Sequence, residues 1–268
     1  MSSNKETVSR TLLVAFLVCI VCSVLVAAAV VLLKDDQLKN KQLDRQRNIL
    51  AAAGLYDGSQ SNSEVASLFA RFEVLFVNMK TGLPATPEEL EAAGINVDRY
   101  DQRKAARDPS LSRQLTAEQD IASIKRQAQF SQVYVLRENG KIVSVVLPVH
   151  GYGLWSTLYG YLAMDSDGTT VKGLGFYEHG ETPGLGGEVD NPKWKALWPG
   201  KQVYNADGEP ALHVIKGKVD PASADAVHAV DGLSGASLTS NGVSNLIHFW
   251  TGEMGYQAFL AHVREGAM

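Results

Sequence analysis

The chain has 268 residues, a net charge of −4 and a pI near 5.9. That length allows one large domain or two small ones with a substantial core. Mild acidity with no basic stripe excludes a nucleic-acid surface, so no nucleic acid is expected as a partner.

Residues 11–33 carry no charge at all. As a helix this run is roughly 35 Å long at about 1.5 Å per residue, which matches a hydrocarbon core of about 30 Å with slight tilt. The apolar region of a signal peptide is shorter, about 7–15 residues, and here Val31-Leu-Leu-Lys-Asp-Asp36 follows the alanines in place of a clear cleavage site. A single uncleaved transmembrane helix in a lipid bilayer is therefore expected. Lys5 and Arg10 precede it, whereas Lys34, Lys39, Lys41, Arg45 and Arg47 follow it, so the charge pattern alone leaves its orientation open. Cys19 and Cys22, the only cysteines, lie within the run. They read as two small apolar residues about one turn apart, because metal and cluster sites need further ligands.

Beyond the run, Leu38, Leu43, Ile49 and Leu50 are spaced for a helix leaving the membrane, up to about residue 55. A turn cluster starts at Asp57, and Val65, Leu68, Phe69 and Phe72 then recur at helical spacing. Residues 72–79 fit either the end of that helix or the start of a strand. Thr86-Pro-Glu-Glu89 is a capping box with proline at the first helical position. Thr116-Ala-Glu-Gln119 is a second such signal, predicting a helix that contains Ile121 and Ile124.

After Ala128 the pattern becomes β. Residues 132–136 and 141–147 flank Glu138-Asn-Gly140, a strong hairpin signal. Residues 158–164 and 170–176 flank Asp165-Ser-Asp-Gly168 in the same way. Asn191-Pro192 starts a short helix reaching Trp198, and residues 212–215 form a strand. Val243, Leu246, Ile247 and Trp250 make one helical face after Ser237, and residues 256–264 form a last helix. No internal repeat is present. The expected class is α+β: an antiparallel sheet with packed helices, preceded by one transmembrane helix. The expected divisions are 1–10, the helix 11–33, a membrane-proximal helical or mixed region 34–128, and a domain at 129–268.

Three segments carry chemistry. Asp231-Gly-Leu-Ser-Gly-Ala-Ser-Leu-Thr-Ser240 enters a helix through a glycine-bearing loop. Free N–H groups and the positive dipole end favour a phosphate there, although an ordinary serine/threonine cap fits the same residues. Glu181-Thr-Pro-Gly-Leu-Gly-Gly187 is a tight turn whose glycines expose backbone donors. Gly151-Tyr-Gly-Leu-Trp-Ser-Thr-Leu-Tyr-Gly-Tyr161 offers rings for a planar ligand or for a core. The phosphate-binding Gly-x-x-x-x-Gly-Lys-Ser/Thr loop and the Gly-x-Ser-x-Gly elbow are both absent.

Taken together, the three segments resemble the FMN-binding domain of the C subunit of the sodium-translocating NADH:quinone oxidoreductase. The flavinylation motif of that family is Asp-Gly-x-Ser-Gly-Ala-Thr, with FMN joined through its phosphate to the last hydroxyl. This chain has Ser237 at that position. Serine keeps the oxygen and loses only a methyl, so the resemblance implies a phosphoester on Ser237, with Thr239 as the rival. It implies ring contacts from Thr182, Gly184, Leu185 and Gly186, phosphate contacts from Ser234, Gly235, Ala236 and Thr239, and further contacts from Trp155 and Lys216. No residue is assigned a catalytic role and no metal is expected.

By the same resemblance the chain is an electron carrier that relays electrons between the other membrane subunits of the pump. NADH oxidation and quinone reduction take place elsewhere in the complex, and a flavin transferase matures the chain. The resemblance also implies a bacterial inner-membrane location, with residues 1–10 cytoplasmic and the soluble part periplasmic. The alternatives are the G subunit of an Rnf-type electron-transport complex and a flavin-free membrane-tethered binding or assembly module. A serine hydrolase built on Ser237 has no histidine or acid assignable by motif.

Overall fold

A computed structural model describes residues 7–266; Met1–Glu6 of the expected cytoplasmic segment 1–10 lie outside the described residues. The apolar run falls inside one helix, α1 (Val8–Ala52), which is long and apolar enough to cross a membrane and buries none of its most apolar window. An apolar surface of that kind is stable only against lipid or another apolar partner. The helix continues through the polar residues after 33, as the spacing of Leu38, Leu43, Ile49 and Leu50 predicts. Contacts divide the chain into two units, Met1–Arg45 and Gln46–Met268.

The second unit continues with α2 (Asn62–Phe69), β1 (Phe72–Asn78), α3 (Pro87–Ala92) and α4 (Gln102–Ala105). Two short strands follow, β2 (Ser112–Gln114) and β3 (Arg126–Ala128), then four longer ones: β4 (Phe130–Glu138), β5 (Lys141–Tyr152), β6 (Thr157–Asp165) and β7 (Val171–Glu178). The last elements are α5 (Pro192–Lys195), β8 (His213–Val214), β9 (Ala229–Val230), α6 (Ser237–Thr251) and α7 (Gln257–Arg264). The central sheet has the order β1-β4-β5-β6-β7 with every pair antiparallel. The hairpin between β4 and β5 turns on Asn139 and Gly140, both at positive φ, as a two-residue turn of this type requires.

Alternation gives the sheet two faces. Val145, Leu147 and Val149 of β5 and Leu158 and Leu162 of β6 meet Val243, Leu246, Ile247 and Trp250 of α6 in the main core. Full burial of each large aliphatic side chain contributes about 1.5–3 kcal/mol. On the other face, Phe69 reaches Tyr134 with ring centroids 5.8 Å apart. The Arg103 guanidinium stands 3.7 Å from the centroid of Tyr159 and forms a forked pair with Glu178 at 2.6 and 2.8 Å.

One open reading is decided and one expectation changes. Of the two readings left open for residues 72–79, the strand forms, over Phe72–Asn78, with Phe72 opposite Leu136 and Asn78 opposite Phe130. β1 thus completes a sheet whose other strands follow residue 129, within the compact unit Gln46–Met268. The helix predicted at Thr116 does not form. Thr116 and Gln119 do bond reciprocally, at 3.1 and 3.3 Å. The Asp120 carboxylate then takes the N–H groups of Ile124 and Lys125 at 2.7 and 2.8 Å, and Ser123 and Lys125 adopt φ of 55° and 66°. A side chain that bonds the backbone this way competes with helix continuation and ends it after one turn.

Candidate functional site

α6 starts at Ser237 without a side-chain cap: its N-cap is Ala236, at φ −130° and ψ 49°. The serine/threonine cap that this segment also fitted does not form. The hydroxyls nearby are committed elsewhere or face solvent. Ser240 Oγ accepts the Leu233 N–H at 3.2 Å, and Thr239 donates to Glu181 at 2.7 Å. Ser234 and Ser237 are exposed, whereas Thr239 is only 1 % exposed. The first-turn N–H groups and the positive dipole end of a 15-residue helix are thus left to an external acceptor.

The 181–187 turn is built as its sequence predicts. The Thr182 carbonyl accepts the N–H groups of Leu185 and Gly187 at 3.1 and 2.9 Å. Gly184 sits just before Leu185 at φ +75°, a conformation that glycine adopts without steric cost. Leu185 leans on the motif loop, since a Cβ on Gly235 would stand 3.0 Å from Leu185 Cδ2.

Glu181 joins all three segments. Its side chain is buried, and Oε1 accepts the N–H groups of Leu154, Trp155 and Ser156 at 3.1, 3.0 and 3.2 Å. Oε2 accepts the Thr239 hydroxyl. Burial pushes this carboxyl up, but the Thr239 hydroxyl and the N–H groups of Trp155, Leu154 and Ser156 outweigh it and hold it below the ordinary glutamate value. Ser156 Oγ in turn accepts the Gly180 N–H at 2.6 Å. His179 accepts the Glu181 N–H on Nδ1 at 3.2 Å and meets Asp190 through Nε2 at 2.8 Å.

The residues singled out in the sequence thus fall into distinct places. Ser234, Gly235, Ser237, Thr182, Gly184 and Leu185 are exposed around one surface, and Ala236 and Thr239 are buried beneath it. Gly186 is also buried, and its close neighbours belong to the protein. A Cβ there would stand 2.5 Å from Thr239 Oγ1 and 2.8 Å from Glu181 Oε2. Trp155 reaches the group through its backbone bond to Glu181, and its side chain is 66 % exposed. Lys216 is exposed on the segment after β8, where Gly217 accepts the Gly232 N–H at 2.8 Å, beside the start of the motif.

Reading the sequence missed Glu181 as the hub, because an acid in a glycine–proline turn looks solvated until its buried donors are seen. It also missed Leu238, which stands exposed next to Ser237. A surface groove of about 400 Å³ between residues 197–201 and 219–231 shares only Asp231 with these segments. Among the described residues, no histidine is hydrogen-bonded to Ser237. Chemically, the arrangement offers an accessible hydroxyl at a positive helix end, ringed by exposed apolar side chains.

Residues 153–252 match the FMN-binding domain family. The chain is 54 % identical over 265 residues to the C subunit of the Na(+)-translocating NADH-quinone reductase of Pseudomonas aeruginosa, covering 98 % of this chain and 99 % of that one. The crystal structure of Shewanella oneidensis NqrC superposes with a TM-score of 0.74 at 38 % identity, covering 84 % of this chain and 99 % of that one. That of the corresponding C subunit from Parabacteroides distasonis does so with a TM-score of 0.61 at 28 % identity, covering 85 % and 96 %. These relatives favour the C subunit of the sodium-translocating reductase over the G subunit of an Rnf-type complex. Full-length identity and a shared fold agree: the chain belongs to the NqrC family, the C subunits of the Na(+)-translocating NADH-quinone reductases.

Proposed function

We propose that this chain is the FMN-bearing electron carrier of a membrane-bound, sodium-translocating NADH:quinone reductase, with FMN tethered by a phosphoester to Ser237. The observation that carries the attachment is the exposed Ser237 hydroxyl at the uncapped start of α6. The residues fit the group. The free N–H groups of the first turn suit the phosphate, and the exposed side chains of Leu185, Leu238 and Trp155 supply apolar surface for a planar ring. Thr239, the rival acceptor, is buried and already donates to Glu181.

Bound FMN supplies reversible electron transfer between the partner subunits' redox groups. The chain's own residues bind and orient it. A phosphate tether leaves the ring without a covalent side-chain bond, so hydrogen bonds, dipoles and burial around it set its electronics. Thr182, Gly184 and Leu185 would face the ring, backed by the buried Gly186, and Trp155 and Lys216 would add contacts. Ser234, Gly235 and Ala236 surround the tether. Attachment breaks the Ser237 Oγ–H bond and forms Oγ–P. The bond between that phosphorus and the leaving group of an activated flavin nucleotide breaks, and the proton leaves with that group. A flavin transferase supplies the base. The bilayer holds α1, with residues 1–10 cytoplasmic and the soluble part periplasmic; protease added to spheroplasts digests the part after Lys34 if this topology is right.

Peptide mass measurement after co-expression with a flavin transferase tests the attachment. The peptide containing Ser237 gains the mass of an FMN phosphoester, Ser237→Ala abolishes covalent flavin, and Ser237→Thr retains it. Flavin on Thr239, or flavin persisting in Ser237→Ala, sinks the site assignment.

A further inference from the structure

Glu181 is a buried carboxylate that the attachment chemistry does not use. Such a group is costly to desolvate, and an apolar residue of similar volume often serves stability as well or better. Here the carboxylate is fully engaged, with one oxygen holding three consecutive backbone N–H groups and the other holding a buried hydroxyl. The three pieces it joins are those that carry Trp155, Leu185 and Ser237. Gly186 sits in the gap, where the smallest side chain would strike both Glu181 and Thr239. The contact is therefore built to a tolerance of less than one methyl group. Bonds to an ionised acceptor are about twice as strong as neutral ones, which suits a knot that must stay fixed beside an exposed surface.

We propose that Glu181 is the positioning residue of the site: its carboxylate fastens residues 154–156 and the first turn of α6 to the 181–187 turn, and so sets where Trp155 and Leu185 stand relative to Ser237. This rests on the reading of Ser237 as the FMN carrier. Glu181 touches no reacting atom. It acts by alignment, and its fixed negative charge bears on any group seated among these segments. A cofactor that gains negative charge on reduction is harder to reduce beside a carboxylate, because like charges repel.

The test uses the full-length chain in membranes, co-expressed with a flavin transferase. It compares wild type, Glu181→Gln, Thr239→Val and the double variant. The readouts are the rate of covalent flavin attachment, the flavin absorption spectrum, the midpoint potential and the thermal unfolding midpoint. Glu181→Gln keeps the side chain's shape, removes its charge and replaces Oε2 with a donor. Attachment is expected to slow about tenfold, equivalent to about 1.4 kcal/mol in the barrier, the spectrum to shift and the midpoint potential to rise. Thr239→Val cuts one strand of the same knot. It slows attachment too, and the double variant is no slower than the worse single one, because both remove one interaction.

If Glu181→Gln matches wild type in rate, spectrum and potential, or if the two substitutions multiply in the double variant, the proposal is overturned. Should Glu181→Gln fail to fold, Thr239→Val decides alone, and an unchanged rate and spectrum overturn the proposal. Wild-type chain without covalent FMN under these conditions overturns the underlying reading, and that result is seen before any variant is compared.

Discussion

Helices α2 and α3 begin in a way that α6 does not. At α2, Ser61 accepts the Glu64 N–H while Glu64 reaches back to the Ser61 N–H at 2.7 Å. At α3, Thr86 and Glu89 make the same exchange at 3.2 and 2.9 Å, with Pro87 at the first helical position. α6, a 15-residue helix packed on the central sheet, has no side-chain cap although serine and threonine surround its start. The hydroxyls at α2 and α3 are spent on the backbone. At α6 one is buried on Glu181 and another is left in solvent. Identical side-chain chemistry therefore serves stability at two helix ends and, in the function proposed above, is left open for the flavin phosphate at the third.

The first way to break this contrast is to disturb what replaces the cap. Gly186→Val should be the most damaging change, since its Cβ alone meets Thr239 and Glu181 inside van der Waals distance. Overpacking of this kind costs about 1–3 kcal/mol, and covalent flavin should fall with it. At Gly184 a Cβ meets no neighbour within 4 Å, but Gly184→Val must hold φ at +75°, costing about 1–2 kcal/mol as backbone strain. Urea unfolding and in-gel flavin fluorescence measure both. Equal effects at the two positions would falsify the role given to the Gly186 contact.

Removing hydroxyls sharpens the contrast. Thr86→Ala is expected to lose about 1 kcal/mol of stability and to leave flavin loading intact. Ser237→Ala should do the reverse, with flavin lost and stability within about 0.5 kcal/mol of wild type, because no hydrogen bond among the described residues depends on its side chain. Urea unfolding of flavin-free chains, with loading measured in parallel, separates the two. A large stability loss in Ser237→Ala would mean that the hydroxyl is a structural cap after all.

Acid provides the smallest effect. Glu64 is held below the ordinary glutamate value by the Ser61 hydroxyl and N–H, and Glu181 is held below it despite burial. A carboxyl lowered in the folded state contributes stability that is complete above its unfolded value, about 4.3. That contribution is lost as pH falls through the folded value, because the unfolded state then binds more protons. Melting midpoints of wild type should therefore fall from pH 5 downward, and more steeply than those of Glu181→Gln. Parallel curves for the two proteins would show that the Glu181 bonds contribute nothing to this slope.

Much of this was open to reading in the chain itself, for local reasons. The apolar run, the capping box at Thr86 and the Asn139-Gly140 hairpin each depend on neighbours a few residues away, so period and turn chemistry suffice. The segment that resembles the flavinylation motif was also visible, because its glycines and hydroxyls lie in one short stretch. The box at Thr116 shows where local reading stops: the signal is present and the bonds form, yet Asp120 diverts the backbone after one turn. Only the tertiary structure decided that residues 72–78 join the central sheet, since pairing with β4 requires a partner more than fifty residues away. It alone decided that Thr239 is withdrawn and Ser237 presented, and that Glu181 is a buried knot. Those outcomes depend on which donors arrive from residues 154–156 and from α6, and burial beside distant donors leaves no periodic trace in the sequence.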